Sequence, residues 1–271
     1  MNQVTANVYV ESDYMVCNLG FITTRDGIVM IDTPTSPTNA VKWREEIGKH
    51  GDIRYIINTE EHPDHCTNSC FFPGTLITSQ ETRDILARQP IDDTIALIKR
   101  IEPNGSSLID SYYLRLADIT FNGTMNLYLG DHTFVLLPLP GHCPSVIGVY
   151  IPEEKVIFSS DCIFHQVKSW FGDSTPEQWL QSLQTIGNLD IDAIIPGHGT
   201  VCNKDYLKEQ ASIIQGWAEA VQSAIKRGLT KEEAESQIIS PDPYPVQSGV
   251  TRSAEALNQM GIDRLYQLYQ K

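Results

Sequence analysis

Short runs of β-branched and aliphatic residues separated by polar turns dominate the first third of the chain. Residues 8–10, 17–22 and 28–31 read as strands, the last two joined as a hairpin through Arg25-Asp26-Gly27. Ser36-Pro37 supplies an N-cap and a proline at the first helical position, which predicts a helix to about Lys49, closed by His50-Gly51. Strands follow at 53–58 and 75–78, and Ser79 caps a helix running through Arg88. Residues 89–116 mix a short helical pattern with Pro103-Asn104-Gly105-Ser106-Ser107 and read as an excursion from the core that covers a site.

Residues 121–123 and 126–129 are expected to form a hairpin arm, with Gly130-Asp131 turning into a strand at 133–139. Two buried strands, 146–151 and 155–159, flank Pro152-Glu153-Glu154. Thr175-Pro176-Glu177-Gln178 starts a helix to Ile186, and 193–195 is a strand. Between 205 and 227, apolar residues at Leu207, Ala211, Ile214, Ala218, Val221 and Ile225 keep helical spacing, and Gly228 stops the run. Thr230 with Glu233 forms a capping box, and the remainder reads as helical around a break at 241–245. Strands outnumber helices without alternating strictly with them. That pattern predicts an α/β fold with helices packed outside two sheets rather than a doubly wound sheet.

Composition adds bounds. The 271 residues, 41% hydrophobic and 20% charged, suit one globular domain spanning 1–271. A net charge of −14 repels phosphate backbones and argues against nucleic acid as partner. No run approaches about 18 apolar residues, and the N-terminus shows neither a basic nor an apolar signal region. With six cysteines in such a chain, the expectation is free thiols in a reducing compartment, the cytoplasm, and no membrane partner.

The chemistry concentrates at Asn58-Thr59-Glu60-Glu61-His62-Pro63-Asp64-His65, directly after a predicted strand. Imidazole and carboxylate together suit divalent first-row metals and the activation of water. Three later places answer this cluster: Pro140-Gly141-His142, Asp161, and Pro196-Gly197-His198-Gly199, each after a predicted strand. Glycines beside the histidines permit sharp turns that aim side chains at a shared centre.

These residues resemble the metallo-β-lactamase superfamily over most of 4–215. That family carries His-x-His-x-Asp-His, a Gly-His, an Asp after a strand and a second Gly-His. Here they stand as Glu60-x-His62-x-Asp64-His65, His142, Asp161 and His198. The resemblance implies an αββα sandwich holding two divalent metal ions. Position 60, His62 and His142 would hold one ion; Asp64, His65 and His198 the other; Asp161 would bridge them. Glu60 departs from the family's histidine. It either ligates directly, shifting preference from the usual zinc toward manganese or iron, or acts as an acceptor that orients a ligating histidine.

The resemblance implies a hydrolase in which metal-held hydroxide attacks a small ester, lactone, thioester or activated aryl compound. Asp64 is expected to orient the nucleophile, and His165 to reach substrate or donate a proton. A homodimer is compatible with the family. An iron-dependent oxidoreductase on the same fold is the rival kept alive by Glu60, and a non-catalytic binding module with a degraded site is the third reading. Asp32 is expected to hold a loop beneath the site, and Glu61 to face solvent. Cys66, Cys143 and Cys162 read as small buried residues. Phe164, Trp170-Phe171 and Tyr112-Tyr113 either line a pocket or belong to the core.

Overall fold

Alternating side chains sort most strands of this protein between two apolar layers, as the two-residue period of a pleated strand requires. The computed structural model describes residues 1–14, 16–103 and 108–270, so 104–107 of the predicted Pro103–Ser107 turn lie outside the described residues. The first sheet runs in the order β1 (Asn2–Gln3), β2 (Val8–Glu11), β3 (Leu19–Thr24), β4 (Gly27–Ile31), β5 (Ile53–Ile57), β6 (Thr75–Ser79), β7 (Ile119–Phe121). It is antiparallel from β1 to β4 and parallel from β4 to β7. The second sheet contains β8 (Met125–Leu129), β9 (His132–Pro138), β10 (Ile147–Ile151), β11 (Val156–His165) and β12 (Ala193–Gly199) in sequential array. Its last pair, β11 and β12, is parallel.

Between the sheets lies one apolar cluster. Ile22, Val29, Ile31 and Ile57 enter it from one side, and Phe134, Leu136, Val149 and Phe158 from the other. The intervening residues of the same strands face outward. Phe21, Ile28 and Met30 pack with Trp43 and Ile47 of α1 (Pro37–Gly48). Leu137 and Ile157 join a third cluster with Trp179 of α5 (Pro176–Gly187), Ile214 and Trp217 of α6 (Leu207–Lys226), and Leu265 of α8 (Ala254–Tyr269). The result is four layers, helix, sheet, sheet, helix, as the sequence predicts. Four shorter helices complete the set among the described residues: α2 (Pro63–Cys66), α3 (Gln80–Leu86), α4 (Ile91–Ile101) and α7 (Lys231–Gln237). No helix among the described residues is long and apolar enough to cross a membrane.

The predicted hairpin arm is not formed. β7 pairs in parallel with β6 through Ile77 and Ile119, whereas β8 pairs with β9 in the other sheet. Gly123, at φ +74°, turns the chain between the two sheets, so local turn chemistry is present but the strands it joins have different partners. β11 also outruns its predicted end, carrying Asp161 within the strand and, after two shifts of register, bringing Phe164 opposite His198. Its neighbour β12 supplies the pairing that a sequence pattern cannot show.

At the start of β9, His132 donates to Glu154 at 2.9 Å and to Asp131 at 3.1 Å. Burial opposes its charge, but these two carboxylates raise its pKa above the ordinary imidazole value. The pair therefore stabilises the fold fully below about pH 6.5, the unfolded value, and loses that contribution as pH rises through the raised folded value. The stability margin of the wild type over His132→Ala should shrink by about 1 kcal/mol between pH 6 and pH 9. Urea melts at the two pH values measure it, and a constant margin would exclude the ion pair as its source.

Candidate metal centre

The loop after β5 is pinned before any ligand is considered. Asp32, just past β4 at φ +57°, accepts from the Thr59 backbone N–H at 2.7 Å and from its hydroxyl at 2.7 Å. Thr59 O accepts from Ile147 N at 2.9 Å, which ties the loop to the second sheet. Asn58 Nδ2 and Thr33 N both donate to His65 O at 2.9 Å. Pro63 then starts α2 with His62 at its N-cap, so His62, Asp64 and His65 leave the backbone within a single turn.

Four chain segments converge here. Ligand atoms of Glu60, His62 and His142 lie within 4.8 Å of one another, as do those of Asp64, His65 and His198, and those of Glu60, His65 and Asp161. Asp161 sits in the middle. One of its oxygens is 3.2 Å from His65 Nε2, and the other is 3.3 Å from His142 Nε2 and 3.2 Å from His198 Nε2. Glu60 is fully buried, with Oε1 2.5 Å from His62 Nδ1 and 3.7 Å from His142 Nε2. Its Oε2 accepts from Ser160 at 3.1 Å, leaving Oε1 turned into the cluster.

Each imidazole is held by its outward nitrogen. His65 Nδ1 meets Asp32 Oδ2 at 2.8 Å, and His142 Nδ1 meets the Trp170 carbonyl at 3.1 Å. His198 Nδ1 meets the Val16 carbonyl at 3.0 Å and Gln247 Oε1 at 2.9 Å. His62 is turned the other way: Nε2 faces Asp173 at 3.3 Å and Nδ1 faces inward. Acceptors on the outward nitrogens fix ring direction, so that each ring, once neutral, presents its lone pair at the inward nitrogen. Asp32 thus goes beyond the expected loop-holding role and orients a ring of the cluster.

The fit to metal is tested by two atoms. His65 Nε2 and Asp161 Oδ1 are buried, and neither makes a hydrogen bond, although they stand 3.2 Å apart. Orphaned buried polar groups are costly, and a cation between them removes that cost. The field of the cluster points the same way. Burial opposes ionisation of Asp64, yet His65 and His198 hold its carboxyl at about 2. Burial likewise opposes charge on His198, but Asp161 and Asp64 push it up to about 10. Glu60, Asp64 and Asp161 are all held on the ionised side, and the cluster attracts positive charge. A metal entering it displaces protons from the imidazoles.

Beside the cluster opens a cavity of about 580 Å³. His62, Asp64, Asp161 and His198 lie on its wall, with Phe164 and Trp170. Gln89 and Leu97, with Ile101 of α4, come from the 89–116 excursion, and Val246, Gln247 and residues 249–252 come from the segment between α7 and α8. Phe171 instead belongs to the helix-side core, and Tyr112 is buried with its hydroxyl donating to Thr67 O at 3.1 Å.

Two expectations are corrected. His165 ends β11 on a separate hollow with Tyr206 and Glu209, its Nδ1 2.8 Å from Thr200 Oγ1, and it does not line the metal-side cavity. β11 carries it past the cluster, so four residues of separation from Asp161 do not bring it to the same centre. Glu61 does not face bulk solvent: it is half-buried, and its Oε2 accepts from Ser145 and Cys143. Cys66, Cys143 and Cys162 are buried free thiols, and burial pushes each of them up in pKa. Gln247, Asp173 and Trp170 were not legible as neighbours of the histidines. Gln247 lies 49 residues from His198, and nothing in the sequence pattern links them.

Two facing sheets that bring such a cluster together at their edge define a metal-site αββα protein. The profile of the metallo-beta-lactamase superfamily matches residues 13–198, and the chain belongs to that superfamily. A hydroxyacylglutathione hydrolase of Bartonella quintana is 29% identical over 86 residues, 32% of this chain and 32% of its own length. A metallo-beta-lactamase type 2 of Elizabethkingia meningoseptica is 24% identical over 223 residues, covering 76% of this chain and 79% of the relative. A metallo-beta-lactamase family protein of Thermus thermophilus has the same fold, with a TM-score of 0.70 at 15% identity over 98% of this chain and 95% of that one. Several curated relatives are matched over only 24 to 35% of their length.

Proposed function

We propose that the protein is a metal-dependent hydrolase of small esters, lactones, thioesters or activated aryl compounds, acting at two divalent ions. The observation that carries this reading is the convergence of Glu60, His62, Asp64, His65, His142, Asp161 and His198 on one cluster, around buried polar atoms that lack partners, with His62, Asp64, Asp161 and His198 reaching the wall of the cavity. Relatives named hydroxyacylglutathione hydrolase and metallo-beta-lactamase support hydrolysis of an acyl compound. Glu60, Asp64 and Asp161 would bring three negative charges to two dications, leaving one positive charge to favour an anionic nucleophile.

Glu60, His62 and His142 would hold one ion and Asp64, His65 and His198 the other, with Asp161 between them. Such ions supply a water of lowered pKa and polarise a substrate oxygen. The protein's own residues do the rest. Asp64, 21% exposed on the cavity wall, is the carboxylate placed to orient the nucleophile and accept its proton. Phe164 and Trp170 keep that side of the cavity apolar and limit water. Asp32, Asp173, Gln247 and the Trp170 carbonyl hold the four rings in place.

Glu60 keeps one rival reading, an iron-dependent oxidoreductase, because a fully buried third carboxylate hardens the ligand set. Metal analysis of protein purified without added zinc separates the two. Two equivalents of zinc or manganese with turnover on an ester and thioester panel are expected. One or two irons with oxygen consumption and no hydrolysis would favour the oxidoreductase. Glu60→Ala should release metal selectively from one position, and unchanged stoichiometry would remove Glu60 from the ligand set.

A further inference from the structure

We infer that the cavity selects a substrate with an anionic group on an apolar body, and that Lys168 holds the anion. This rests on the hydrolase reading for the reaction, but its own support is independent of it. The chain is strongly acidic, with 34 Asp and Glu against 20 Lys and Arg. The cavity wall reverses that balance. Among the described residues, and apart from the proposed ligands, its charged residues are Lys168, Arg100 and Arg252, against Asp93 alone.

Lys168 is the residue that turns this bias into a site. It is only 8% exposed, and its Nζ donates to Ser240 Oγ at 3.0 Å and to the Asp242 carbonyl at 3.3 Å. Both acceptors are neutral oxygens, so one of the three ammonium protons has no partner there. The nearby carboxylate of Asp242 is already engaged, Oδ2 by Ser169 N at 2.7 Å and Oδ1 by Tyr244 N at 3.1 Å. Burial disfavours the ammonium, while the fields of Asp242 and Glu255 favour it. Lys168 makes no ion pair with a carboxylate among the described residues. A buried cation in that condition is costly unless an anion arrives to satisfy it.

Arg100 on α4 and Arg252 before α8 are exposed, and lie on the parts of the wall contributed by the two segments that cover the cavity. They add attraction at longer range that salt should screen. Leu97, Ile101, Val246, Val250 and Leu257 on the same wall give the apolar surface for the body of the ligand. The ligand class is therefore an amphiphilic oxyanion, a carboxylate or a phosphate, rather than a neutral ester.

Calorimetry on the metal-loaded full chain tests this without requiring turnover. The probes are 4-phenylbutyrate, 3-phenylpropyl phosphate and the neutral 4-phenylbutanol. An anion should bind at least about tenfold more tightly than the alcohol, the scale of one charge-assisted hydrogen bond. Lys168→Met should remove most of that preference, and Lys168→Arg should keep part of it. Arg100→Ala with Arg252→Ala, at exposed positions that tolerate truncation, should lower the preference and its salt dependence even if the lysine variant folds poorly. Whichever anion binds more tightly identifies its class. A preference unchanged in both the Lys168→Met and the double-arginine proteins would place the anion on the metals alone and overturn the inference. Absence of any anion preference in the wild type would overturn it too. A protein that binds the anion through Lys168 but cleaves no acyl compound would instead sink the proposed reaction and leave this site standing.

Discussion

Asp161→Ala should empty the centre of metal and reduce hydrolysis by more than about 100-fold. Loss of a residue that merely orients a ligand typically costs about 10- to 100-fold in metal affinity, and removal of a ligand exceeds that. Asp161 is the side chain within 3.3 Å of three histidine nitrogens, those of His65, His142 and His198. Its removal takes away the group common to both halves of the cluster. It also leaves imidazoles facing one another with one fewer carboxylate, so each half loses anionic field as well as a ligand. Metal content by mass spectrometry of the purified variant is the direct check. Full occupancy would mean that Asp161 neither bridges nor ligates. By contrast, Glu60→Ala is expected to affect one position only, which separates a bridging from a terminal role.

Gly197→Ala should have the second large effect, although it removes no ligand. A Cβ at position 197 would lie 1.9 Å from Asp161 Oδ1 and 2.8 Å from the Asp161 backbone N. The backbone of β12 therefore passes against the Asp161 carboxylate at a distance that only glycine permits. The carboxylate must move away, or β11 and β12 must part. Overpacking of this kind costs roughly 1–3 kcal/mol and should lower Tm by roughly 2–12 °C in a domain near this size. Metal content should fall together with Tm, because the atom displaced, Oδ1, faces His65 and belongs to the carboxylate that also meets His142 and His198. A variant with wild-type Tm and full metal content would show that β12 has room the structure denies. Gly141 makes a comparable contact, its Cβ position lying 2.2 Å from Trp179 Cα, and so packs the loop carrying His142 onto α5. At 141 the backbone is also at φ +149°, so crowding and backbone conformation both require glycine.

These glycines show where the sequence was readable and where it was not. That Gly141 and Gly197 stand beside histidines was visible, and sharp turning was the reason assigned. At Gly197 the structure gives a different reason, close approach of one backbone to another element, since its φ is unexceptional. Which element lies across the gap is a property of the folded pair. The strands themselves were largely legible, because a two-residue alternation and the turns bounding it are local. From the sequence, β7 and β8 read as one hairpin because nearby strands usually pair. Their separation into different sheets follows from competition for partners, β6 against β9, that no local pattern encodes.

Of the side-chain cluster, the sequence by itself determined which residues stand at or beside strand ends and in what order, and it marked them as candidates because imidazole and carboxylate share one chemistry there. It also singled out Glu60 as the unusual member. Only the tertiary structure decided that Glu60 Oε1 turns into the cluster, that His62 faces inward through Nδ1, and that His165 is carried away to another hollow. Only the structure joined Gln247 to His198 and set Lys168 in the wall of the same cavity. The physical reason is the same for all of these. Residue type and spacing fix what a side chain can do, whereas direction and neighbours depend on contacts between segments tens to hundreds of residues apart.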